Sequence, residues 1–154
     1  MAEFLDSDRA ALERLNRLRA SAPSAELDEL EASFDATFGA DTRLAVYGSL
    51  APGRSNHDQL ASLAGRWISG LYVRGQLQAL GRGVHRGFPA LRWSESGPRV
   101  PAQLFVSAEL PEHWVRLDRF EGAGYRRILV PVLDGSDVVV VANLYEGVGG
   151  RVFR

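Results

Sequence analysis

The hydrophobic period of this chain changes near Gly39, and that change restricts the folds open to it. Before it, Leu12, Leu15 and Leu18 recur at helical spacing among charged residues. Leu27, Leu30, Phe34 and Phe38 then follow at steps of three or four. The spacing predicts two amphipathic helices broken by Ser21-Ala22-Pro23-Ser24, with Pro23 or Ser24 opening the second and Gly39 ending it. After the change, segments 43–47, 67–79, 100–107, 128–133 and 137–145 are rich in β-branched and aromatic residues and predict short strands. Val138-Val139-Val140-Val141 lacks alternation, which predicts a strand buried on both faces. Asp134-Gly135-Ser136 suits the turn of a hairpin. One more helix is expected late in the chain: Pro111 opens it, Trp114, Leu117 and Phe120 face the core, and Gly122 ends it. The pattern is α+β, divided into a helical extension over residues 1–40 and a β-rich domain over 41–154. The extension either packs on that domain or serves as a hairpin for a homodimer or another partner.

Composition narrows the function classes. The 154 residues suffice for one domain with a sizeable core. The net charge of -1 supplies no global field for nucleic acid or an anionic membrane. Arg116, Arg119, Arg126 and Arg127 form a local cluster that reads first as a solvated face. Without cysteine there is no disulfide, thiolate nucleophile or cysteine-ligated zinc. His57, His85 and His113 are scattered, with no metal-ligand spacing. The first twenty residues lack a signal-peptide core, and no apolar run approaches the ~20 residues of a membrane span. A cytoplasmic protein with no cofactor is the expectation.

Two segments carry chemistry. In Val46-Tyr47-Gly48-Ser49-Leu50, Gly48 is expected to leave the strand with an unusual dihedral and to admit a ligand close to the backbone. The amides of Gly48, Ser49 and Leu50 would then form a nest for an anion or oxyanion; a plain strand-to-loop turn is the alternative. Ser49 lacks a G-x-S-x-G frame and the histidines are scattered, so it is not a convincing nucleophile. Asn56 is expected to cap a short helix through His57, Asp58 and Gln59. The second segment, Leu117-Asp118-Arg119-Phe120-Glu121-Gly122-Ala123-Gly124-Tyr125, puts Glu121 in the last turn of a helix. The dipole there and burial beside Phe120 and Tyr125 both favour a protonated carboxyl suited to acid–base work, whereas an exposed helix-end glutamate is the plainer reading. Asp118 either shares that site or pairs with Arg119 or Arg126. Trp67, Trp93 and Trp114 read as core or rim aromatics, and Gly81-Arg82-Gly83 lacks the third glycine of a dinucleotide fingerprint.

Tyr47-Gly48-Ser49-Leu50, with Gly53 and Asn56-His57 after it, resembles the signature of the γ-glutamylcyclotransferase-like superfamily, closest to γ-glutamylamine cyclotransferases and avirulence-induced-gene-like proteins. Further matches come in order. They are Val73-Arg74-Gly75-Gln76-Leu77, Gly87-Phe88-Pro89-Ala90-Leu91, Val100-Pro101-Ala102-Gln103-Leu104-Phe105 and Leu117-Asp118-Arg119-Phe120-Glu121-Gly122 with Tyr125-Arg126. Ala102 stands where the family usually has glycine, and residues 1–40 lie outside the resemblance. It implies a small mixed β-barrel flanked by helices, with Glu121 as the catalytic acid/base and Tyr47, Gly48, Ser49, Leu50 and Tyr125 around a small γ-glutamyl substrate. The implied reaction is attack of the substrate's own α-amine on its side-chain carbonyl, which gives 5-oxoproline and a free amine. A non-catalytic binding or interaction module on the same fold is the alternative.

Overall fold

The computed structural model describes residues 3–48, 50–79 and 89–148. Gly81-Arg82-Gly83, His85, Arg86 and the tail 151–154 lie outside the described residues. The order is α1 (Asp6–Arg19), α2 (Ala25–Phe38), a 3-10 turn (Ala40–Thr42), β1 (Arg43–Val46), α3 (Asp58–Ala61) and β2 (Arg66–Ala79). Then come β3 (Pro89–Trp93), β4 (Arg99–Val106), α4 (Leu110–Glu121), β5 (Tyr125–Asp134) and β6 (Asp137–Gly147). Strand order β3-β2-β4-β1-β6-β5 closes through a β2–β5 pairing at Tyr72 and Leu133. Five strands thus form a mixed barrel, with β1 and β6 parallel and β3 added outside the closed circuit. β2 pairs with β4 over residues 66–74, across a register shift between Ile68 and Leu71, and with β3 over residues 75–79.

Side-chain alternation sorts the barrel strands into an inner and an outer set. Ala45, Val100, Ala102, Leu104, Ile128, Val130, Ala142 and Leu144 fill the interior. Outside, Leu44, Val46, Phe105 and Tyr145 meet Leu110, Trp114 and Leu117 of α4. Leu129 and Val141 meet Leu12, Leu15, Phe34 and Phe38, so the apolar stripes of α1 and α2 are covered by β5 and β6. Ser24 caps α2 by accepting from Leu27 N–H at 3.1 Å, and Gly39 ends it. Among the described residues no helix is long and apolar enough to cross a membrane.

Three local expectations need correction. The part of β6 buried on both faces is 141–147; Val138, Val139 and Val140 are half-buried because they lie at the hairpin end, beyond the helices. Pro89–Trp93 is a strand the pattern missed, since its pairing with β2 is tertiary and Pro89 obscures a five-residue run. His57, not Asn56, occupies the N-cap of α3, and its side chain makes no capping bond; its Nδ1 lies 3.0 Å from the Leu50 carbonyl.

Candidate active site

Register brings one end of three strands together. Leu44 pairs with Asn143 in parallel and Tyr125 with Gly147, so Tyr47 leaves β1 beside the end of β6 and the start of β5. The turn after Tyr47 packs on α4: Leu50 and Ala51 share a buried cluster with Trp114 and Leu117. The helix ends at Glu121 because Gly122 takes φ +78, a left-handed value that favours glycine. Glu121 is the last helical residue and is only 8% exposed.

Three phenols feel the charge of this carboxylate. Burial first, and then Glu121, hold Tyr125 above its ordinary value. Burial leads at Tyr47 as well; the Leu91 amide opposes it, while Tyr125, Glu121 and Glu146 add to it. At Tyr145 burial is joined by the hydrogen bond to Asp118, with Glu121 as a smaller contributor. All three tyrosines remain neutral near physiological pH, so each keeps its hydroxyl proton. The Tyr47 hydroxyl donates to the Tyr145 carbonyl at 2.7 Å and accepts from Leu91 N–H at 2.9 Å, which pins β3 to β6 beside the turn. Gly147 permits that approach, since a Cβ there would lie 2.5 Å from the Cβ of Ala90.

Gly48 lies outside the left-handed region, contrary to the expected dihedral. A Cβ on it would meet nothing within 4 Å, so the residue borders open space. Its carbonyl accepts from Ala51 N–H at 3.1 Å, which fixes the turn. Ser49 lies outside the described residues. A cavity of about 310 Å³ adjoins the turn, lined by Tyr47, Ala51, Arg54, Gly70 and Ala102 among others. A second, of about 360 Å³, is lined by Asp118, Tyr125, Arg126, Arg127 and Tyr145 on the barrel side and by Arg19, Pro23 and Leu27 on the hairpin side. Among the described residues no His, Asp and Glu cluster is suited to a metal.

Asp118 pairs with Arg127, Nε to Oδ1 at 3.0 Å, not with Arg119 or Arg126, and accepts from the Tyr145 hydroxyl at 2.7 Å. Arg127 lies 4.4 Å over the Trp114 ring and donates to Asn143 Oδ1 at 2.9 Å. Arg19 reaches the same oxygen at 2.8 Å, and Asn143 donates to the Ala40 carbonyl at 2.8 Å. The helical hairpin is thereby joined by polar contacts to the helix that carries Glu121. Sequence reasoning missed this network and also Glu146, which is buried and linked to Arg126 at 3.0 Å. A lone polar Asn143 within the apolar run of β6 was the one available signal.

A family model for gamma-glutamyl cyclotransferase, AIG2-like proteins matches residues 44–150. Among solved structures, YkqA from Bacillus subtilis is 26% identical with a TM-score of 0.51, covering 69% of this chain and 35% of that one. An AIG2-like protein from Mus musculus is 21% identical at a TM-score of 0.50, covering 70% and 78%. An allophanate hydrolase of Kluyveromyces lactis is 18% identical at 0.54, covering 70% and 18%, and shares the fold alone. The match thus spans about a third of YkqA, 35% of its chain. No curated protein sequence matches significantly. The chain belongs to the gamma-glutamyl cyclotransferase, AIG2-like family.

Proposed function

We propose that the protein is a cyclotransferase that releases 5-oxoproline from a γ-glutamyl amine or peptide. The supporting observation is the burial of Glu121 at the strand ends where the Tyr47 turn also lies, with its charge felt by Tyr47, Tyr125 and Tyr145. The substrate folds so that its α-amine reaches its own γ-carbonyl. Glu121 takes a proton from the ammonium; the nitrogen bonds to the carbonyl carbon, and the resulting oxyanion is held by amides of turn 47–50. Collapse breaks the original amide bond as Glu121 returns the proton to the departing nitrogen, and the ring nitrogen passes its second proton to the freed amine, leaving the neutral lactam and an ammonium. Nucleophile and electrophile belong to one molecule, so the site mainly enforces a near-attack geometry.

The test is mass-spectrometric detection of 5-oxoproline over γ-glutamyl amines, dipeptides and glutathione, with Glu121→Gln as control. The isosteric amide should preserve the fold and lose about 10²–10⁴-fold in kcat. Near-normal turnover by a folded Glu121→Gln protein would refute the assignment of the acid/base.

A further inference from the structure

A groove of about 570 Å³ lies between α1, β3 and β5. Arg17, Arg92 and Arg126 line it from these three elements, Trp93 gives it an aromatic wall, and the carboxylates of Glu13 and Glu146 also border it. Glu146 is committed on both oxygens: Oε2 takes Arg126 Nε at 3.0 Å and Oε1 takes the Trp93 N–H at 3.0 Å. Arg17 and Arg92 make no ion pair among the described residues. Once Arg126 and Glu146 are counted as a neutral pair, two guanidiniums face one carboxylate, Glu13.

Two observations relate the groove to the phenols that the Glu121 charge reaches. Arg126 and Ala20 also line the cavity that contains Tyr125 and Tyr145. The charges of Glu146 in the groove and of Glu121 both reach the Tyr47 phenol, so these carboxylates share a neighbour. Arg17 comes from α1, which precedes the family match, so this side of the groove is supplied by the chain's own extension.

We propose that this groove holds the leaving-group end of the substrate and selects leaving groups that carry a carboxylate. The substrate class is then an anionic γ-glutamyl peptide in preference to a γ-glutamyl amine, an inference that rests on the cyclotransferase reading. A carboxylate matches the planar donor fork of a guanidinium, and Trp93 offers an apolar face to the attached side chain. Arg17 is exposed and Arg92 half-buried, so screening keeps each contact modest.

The experiment compares 5-oxoproline release from γ-glutamyl-phenylalanine and γ-glutamyl-phenethylamine, which differ only in the carboxylate, using the full chain and its Arg17→Gln/Arg92→Gln variant. Two solvent-screened charge contacts worth about threefold each give a preference of roughly tenfold in kcat/KM for the peptide. That ratio should fall towards one in the double variant, and in the wild type it should shrink as salt is raised. A wild-type ratio at or below one, or a ratio unchanged in the folded double variant, overturns the groove assignment and leaves the cyclotransferase reading standing. Wild-type silence on both substrates and on the wider panel overturns both readings. If the double variant does not fold, the wild-type ratio and its salt dependence decide the matter.

Discussion

Replacing Tyr47 by Phe removes one oxygen that joins two strands. The hydroxyl donates to the Tyr145 carbonyl at 2.7 Å and accepts from the Leu91 amide at 2.9 Å. Both partner residues are buried, Leu91 completely and Tyr145 to 5% exposure. The phenylalanine ring still packs against the barrel interior, so the loss is confined to the polar bridge. Two buried backbone groups left without that partner cost about 1–3 kcal/mol each in the worst case, and about 3 kcal/mol together is the expected outcome. For a chain of this size that corresponds to a fall in Tm of roughly 6–12 °C. Thermal and urea unfolding give the stability, and amide hydrogen exchange at Leu91 reports whether β3 has loosened from β6. A shift in Tm below about 2 °C with unchanged protection at Leu91 would refute the bridge, since ~3 kcal/mol cannot vanish from two buried groups that remain dry.

Three further outcomes are expected. Asn143→Ala removes the acceptor shared by Arg19 and Arg127 and the donor to Ala40, and should cost about 3 kcal/mol in urea unfolding; a loss below about 1 kcal/mol would show that this network does not tie the hairpin to the barrel. Burial and then the Asp41 carboxylate push Asp35 up to about 6, above its unfolded value, so the protonated folded form is favoured and stability declines as pH rises from about 4 through 6. Asp35→Asn should therefore match the wild type below that window and exceed it above by about 1 kcal/mol after screening of a partly exposed group, and equal stabilities at pH 7 would contradict this. Gly48→Val points into open space, so its melting temperature should hold while turnover falls by roughly 10²-fold through displaced substrate; normal turnover would remove the turn from the site.

The local elements were written in the chain. The stripe Leu27, Leu30, Phe34 and Phe38 with Ser24 before it and Gly39 after it specifies α2, because capping and 3.6-residue periodicity are local properties. Likewise the end of α4 at Glu121 follows from Gly122, and the family was legible from ordered motifs spread over the β-rich part. What local pattern could not supply was pairing across long sequence separations. That β3 exists, that Tyr47 bridges it to β6, and that Asp118 selects Arg127 over the adjacent Arg126 all depend on barrel closure and register. Register also decides which of two successive side chains faces inward: Arg126 turns towards Glu146 and Arg127 towards α4, because neighbouring residues of a strand point to opposite faces. The sequence thus determined α1, α2 and α4, the C-terminal ends of α2 and α4, and the acid/base candidate. The tertiary structure alone decided these polar partnerships, because Tyr47 and Tyr145 lie 98 residues apart and even Asp118 meets Arg127 only when the register of β5 turns that side chain towards α4.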